Sequence, residues 1–81
     1  MKDIHNDELE FVYYKMGTAG SFRTGLYDLF WKADMRNQMK LEAAFPELWV
    51  LRKYTTESGY WEGLQQRYKN YRENVVDQNN Y

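Results

Sequence analysis

The residues best suited to chemistry in this chain cluster in residues 17–25, GTAGSFRTG. A glycine-bearing turn that leads into a helix offers unpaired backbone N–H groups, and Ser21, Arg23 and Thr24 would add two hydroxyls and a guanidinium. That combination suits an anion. Gly20, Ser21, Arg23 and Thr24 would hold a phosphate, and Tyr27, four residues beyond Arg23, would stack on the base of a nucleotide. The pattern matches neither a P-loop nor a dinucleotide fingerprint, and no strand precedes it. A plain helix start with Ser21 as its N-cap is the competing reading.

Other reactive groups are few. There is no cysteine, and the single histidine, His5, lies near the terminus, so nucleophilic triads and Cys/His metal sites have nothing to be built from. Carboxylates occur near one another, as Glu8 with Glu10 and Glu42 with Glu47, but on helices, where a solvated face is their expected role. Asp and Glu show no metal-loop spacing. The expectation is a non-enzymatic protein without metal or cofactor, acting by binding.

The elements that would position these residues all read as helices. Leu9, Val12, Tyr13 and Met16 fall at i, i+3, i+4 and i+7, which predicts a first helix that starts after an N-cap at Asn6 or Asp7 and stops at Gly17; Phe11 and Tyr14 lie off this stripe. Phe22, Leu26, Leu29, Phe30 and Ala33 predict a second helix, and Asp34 caps a third that carries Met35, Met39, Leu41, Ala44 and Phe45. One long helix through Asp34 is the rival. Pro46 is tolerated at a first helical position and opens a short element over residues 47–54. The TTESG segment, 55–59, marks a boundary. Trp61, Leu64, Tyr68, Tyr71 and Val75 then alternate steps of three and four, the pattern of a packed seam, over residues 60–75. The expected fold is all-α, a small bundle of four to five short helices in a single domain over residues 1–81, with 1–6 and 77–81 loose.

At 81 residues the chain buries only about two-thirds of its unfolded surface, so its stability margin is thin. Aromatic residues make up 19% of it, with eight tyrosines and three tryptophans. Phe22, Phe30, Trp31, Phe45, Trp49 and Trp61 are expected in an aromatic core. Tyr14, Tyr27, Tyr60 and Tyr81 are expected at an interface, where tyrosine supplies rigid area and a hydrogen-bonding tip. A homo-oligomer would add the missing stability. The net charge of −1 excludes a strongly acidic DNA mimic and makes nucleic acid an unexpected partner. Charge is uneven, however: Arg23, Lys32, Arg36 and Lys40 outnumber Asp28 and Asp34 in residues 21–40, which marks a local basic patch. No apolar run is long enough to cross a bilayer and the N-terminus has no signal-peptide pattern, so a cytoplasmic protein is expected.

The run SFRTGLYDLFWKADMRNQMKLEAAFPELW, with its aromatic-rich first helix, its KAD break, the Asn three residues after Asp34 and the closing FPE, resembles short uncharacterised proteins of tailed phages and integrated mobile elements. The resemblance covers roughly residues 21–61. It implies an accessory protein in a host cell that contacts a host or phage protein, for instance to inhibit a defence system. Sequestration of a nucleotide messenger, or a structural role in the phage, are the alternatives it implies.

Overall fold

The computed structural model describes residues 3–78 and places five α-helices and one 3-10 turn among them, with no strand. The helices are α1 (Asn6–Lys15), α2 (Ser21–Lys32), α3 (Met35–Ala44), α4 (Trp49–Thr56) and α5 (Tyr60–Gln78). Pro46 opens the 3-10 turn Pro46–Leu48 that leads into α4, the position where its missing N–H costs nothing. Tyr81 and the side chain of Val75 lie outside the described residues.

Local chemistry sets the boundaries. The α1 cap is His5 rather than Asn6 or Asp7: its Nδ1 accepts from the Asp7 N–H at 2.9 Å, while the His5 N–H donates to Glu8 at 3.0 Å. This reciprocal pair satisfies two orphan donors at the helix start. Gly17, at φ 79°, ends α1 in the left-handed conformation, and its N–H bonds the Tyr14 carbonyl. The break at Asp34 is real, with its carboxylate accepting from Asn37 N–H at 2.9 Å. The TTESG boundary falls later than its composition suggests. Thr55 and Thr56 extend α4 by donating their hydroxyls back to the Arg52 carbonyl, and the turn is left to Ser58 and Gly59.

Phe11 is the hub of the core. It is fully buried and packs on Tyr14, Tyr27, Tyr54 and Trp61, with ring centroids 5.2–6.2 Å apart. Tyr27, Phe30, Leu48, Val50, Leu51 and Leu64 complete the fully buried set. Of the apolar stripes, Leu26, Phe30 and Leu64 are buried and Leu41, Phe45 and Tyr68 are half-buried against the core. Phe22, expected in the aromatic core, and Leu29 are exposed instead, at 69% and 52%.

Both early helices present a face one residue away from the apolar stripe. In α1 the inward residues are Glu8, Phe11 and Val12, while Met16 is exposed. In α2 they are Leu26, Tyr27 and Phe30, while Phe22 and Leu29 face solvent. One residue is about 100° of helix rotation, enough to exchange core for surface. The cause is charge that is paired inside. Glu8, placed by its sequence among solvated carboxylates, is 4% exposed and is gripped at both oxygens by the Arg67 guanidinium, with Nη2 at 2.8 Å, and by the Tyr60 hydroxyl. Burial alone would raise its pKa, but the bonds from Arg67, Tyr60 and the His5 N–H outweigh that and bring it down to about 2. The same network ties the start of α1 to α5.

Candidate functional site

The anion turn does not assemble. Gly20, at φ 85°, is the N-cap of α2 and makes no side-chain cap bond; Ser21, expected as that cap, is the first helical residue. Arg23 is committed inward: Nε lies 3.0 Å from Glu10, Nη1 lies 3.7 Å from Glu47, and Nη1 donates to the Tyr27 hydroxyl at 3.1 Å. Two carboxylates beside the guanidinium cancel the field an anion would need. Tyr27 is fully buried and cannot stack on a base. Thr24 is half-buried, and its N–H is taken by the Gly20 carbonyl. Gly20, Ser21, Arg23, Thr24 and Tyr27 therefore do not form a ligand pocket. The physical reason is that Arg23 lies on the inward face of α2, where α1 and the 3-10 turn bring Glu10 and Glu47 to it.

The tyrosines expected at an interface are internal as well. Tyr14 donates to Asp28 at 2.6 Å and accepts from Trp31 Nε1 at 3.1 Å. Tyr60 donates to Glu8, and burial together with that carboxylate pushes its phenol pKa up. Trp49 Nε1 donates to Asp7 at 2.6 Å. Among the described residues no buried side-chain N or O lacks a partner, so the polar tips of these rings are satisfied within the chain. Tyr14, Tyr27 and Tyr60 thus spend their hydroxyls on Asp28, Arg23 and Glu8 of the same chain, with Tyr27 fully buried and the other two half-buried.

Of the large apolar side chains left exposed among the described residues, Met16 lies on α1 and Tyr71 on α5, and the other four lie on the α2–α3 hairpin. Phe22 is 69% exposed, Leu29 52%, Met35 62% and Met39 63%. The two helices run antiparallel, with Phe22 at the start of α2 against Phe45 at the end of α3, their rings 6.2 Å apart. Nearer the hairpin turn, Leu29, Lys32 and Ala33 of α2 and Asn37, Lys40 and Leu41 of α3 line an open groove of about 430 Å³. Met35, Arg36, Met39, Lys40 and Ala43 line a second on the other flank of α3, and Lys40 borders both.

Lys32, Arg36 and Lys40 on this side make no ion pair among the described residues, nor do Lys15, Lys69 and Arg72 elsewhere, whereas Arg23, Arg52, Lys53 and Arg67 are paired. The hairpin's carboxylates are occupied: Asp28 by Tyr14, Asp34 as the α3 cap, Glu42 by Arg52. Comparison with protein-family models, characterised proteins and solved structures finds no match to this chain.

Phe22, Leu29, Met35 and Met39 are visible in the sequence as apolar stripes but read there as core. On α2 the exposed pair flanks Gly25, which, like Gly63 of α5, sits inside a helix with open space about it. It stands between Phe22 and Leu29 on the same helical face, and a Cβ added to it would meet nothing within 4 Å. Glycine inside a helix costs about 0.5–1 kcal/mol relative to alanine, and packing within this chain gives no reason for it. Among the described residues no group of three metal-ligating side chains comes together, and no helix is long and apolar enough to cross a membrane.

Proposed function

We propose that this is a non-enzymatic protein that acts by binding another protein through the outer face of α2 and α3. One observation carries the reading: Phe22, Leu29, Met35 and Met39 are all more than half exposed on two consecutive helices, where two open grooves meet at Lys40. Large exposed apolar side chains gathered in a patch mark interaction sites, while single scattered ones do not. Methionine suits this role because its unbranched thioether adapts to a partner's shape. The likeness of residues 21–61 to short tailed-phage proteins adds a setting, in which the partner is a host protein such as a component of a defence system.

Recognition of a phosphorylated ligand at residues 17–25 loses its support, since Arg23 is paired with two carboxylates and Tyr27 is buried. A homo-oligomer is a case of the same binding face and separates by experiment. Affinity capture from a host lysate, run with the wild-type chain and with Leu29→Asp/Met39→Asp, should retain a saturable species that the variant loses. Sedimentation of the purified chain should in parallel give a monomer if the partner is a different protein, and a variant-sensitive dimer if it is a second copy. Equal capture by wild type and variant, together with unchanged sedimentation, would remove the face from consideration.

A further inference from the structure

We infer that the α2–α3 face receives an acidic amphipathic helix of a protein partner, seated across the hairpin groove with its closest approach at Gly25. This rests on the binding-face reading above and adds the chemistry of the occupant. Charge complementarity selects its sign. Lys32 and Lys40 line the groove and Arg36 lies on the adjoining one, none with an ion-pair partner among the described residues; Glu42 is paired with Arg52, and Asp28 and Asp34, bonded only by neutral donors, leave the three cations in excess by one. A basic segment would meet three unpaired cations; an acidic one would neutralise them and gain in encounter rate.

Shape selects a helix. Phe22, Gly25 and Leu29 lie along one face of α2 at i, i+3 and i+7, so the glycine is a notch between two apolar projections. A partner's side chain can reach the α2 backbone there, as small residues permit at close helix contacts. The α2 face spans roughly 18 Å, which accommodates about three turns of helix with anchors at i, i+3 or i+4, and i+7. Leu, Met and Ala at its centre favour a protein partner over nucleic acid, which would call for aromatic platforms beneath the bases. The partner's apolar ridge therefore fills the Leu29–Ala33–Leu41 groove, and its carboxylates sit beside Lys32, Arg36 and Lys40.

A displayed library of helical peptides of about 16 residues, selected on the wild-type chain, tests this. The enriched peptides should combine an i, i+3 or i+4, i+7 apolar repeat with net negative charge. A synthetic representative should bind K32E/R36E/K40E roughly thirtyfold more weakly, because three favourable charge contacts become repulsive. Gly25→Gln should weaken the same peptide roughly tenfold while raising Tm, since it improves the helix but fills the notch. Circular dichroism of each variant should report the wild-type helix content.

Enriched peptides that are neutral or basic, or affinities unmoved by the triple charge reversal, overturn the acidic-helix assignment. If such peptides are still lost in Leu29→Asp/Met39→Asp, the binding face survives without it. If nothing enriches, the acidic-helix assignment falls, and the capture and sedimentation comparison decides the binding face. Binding of a 20-nucleotide single-stranded DNA, or of phosphatidylserine-containing vesicles, as tightly as the best peptide and with the same loss in K32E/R36E/K40E would also overturn it.

Discussion

Two regions built from the same residue types behave in opposite ways. Where α1 meets α4 and α5, aromatic rings and charged groups pack together and the buried polar atoms are all bonded: Glu8 to Arg67 and Tyr60, Asp7 to Trp49, with Lys15 over the rings of Tyr54 and Trp61. On the outer side of α2 and α3, apolar side chains stand in solvent beside cations that make no ion pair among the described residues. A small chain cannot discard apolar area cheaply, because burial of such area is its main stabilising term. The inner region is explained by stability alone; the outer one is not, and this asymmetry is the case for function.

The largest expected effect tests the inner region. Arg67→Ala would leave Glu8 buried and ionised with only Tyr60 and the His5 N–H to hold it, a loss of about 3–5 kcal/mol. For a chain of this size that is a large share of total stability, so urea denaturation should show a much lower midpoint or an unfolded protein. A midpoint within error of wild type would mean that the buried pair contributes nothing.

Acid titration addresses the same pair more gently. The Glu8 pKa lies near 2 in the folded chain against an ordinary value of 4.5, so the folded state holds its proton less tightly than the unfolded one. Its contribution is complete above pH 4.5 and is lost as pH falls from there through about 2. The full shift is worth about 3 kcal/mol. Glu8→Gln should lower stability at pH 7 and flatten the dependence between those limits, as read from urea midpoints at stepped pH. An unchanged slope would place the acid sensitivity on other carboxylates.

How much of this was legible beforehand differs between the two regions. Helix number, the Asp34 break, the Gly17 stop and Pro46 at a helix start follow from local chemistry, because caps and φ preferences act within a few residues. The facing of α1 and α2 does not. Glu8 and Arg23 look solvent-bound in sequence yet point inward, since their partners Arg67, Glu10 and Glu47 arrive from other helices. Their opposites, Phe22, Leu29 and Met16, look like core and face outward. The anion turn failed for the same reason: Arg23 reads as a free cation until Glu10 is placed beside it. In α2 the apolar stripe is split, with Leu26 and Phe30 in the core and Phe22 and Leu29 turned away from it.

Gly25→Ala gives the next expectation, smaller and of opposite sign. With φ in the helical range and open space around the new methyl group, it should stabilise the fold by about 0.5–1 kcal/mol. Thermal denaturation should move upward by several degrees. A fall in Tm would mean that the backbone at Gly25 is strained in a way its surroundings do not reveal, and the notch would then have a structural reason.

The smallest expected effect sharpens the comparison most. Leu29→Gln and Met39→Gln each remove an exposed apolar side chain that packs on little, so each should change stability by no more than about 0.5 kcal/mol. Phe11→Ala, at the hub of the core, should cost about 3–5 kcal/mol by opening a cavity among Tyr14, Tyr27, Tyr54 and Trp61. In the sequence Leu29 belongs to a core stripe and Phe11 does not, so the two substitutions oppose pattern to structure directly. Urea midpoints measured side by side decide between them. If Leu29→Gln destabilises as much as Phe11→Ala, the outer face is core in solution, covered either by rotation of α2 or by a second copy of the chain. If it is neutral while binding is lost, the apolar side chains on α2 and α3 serve a partner rather than the fold.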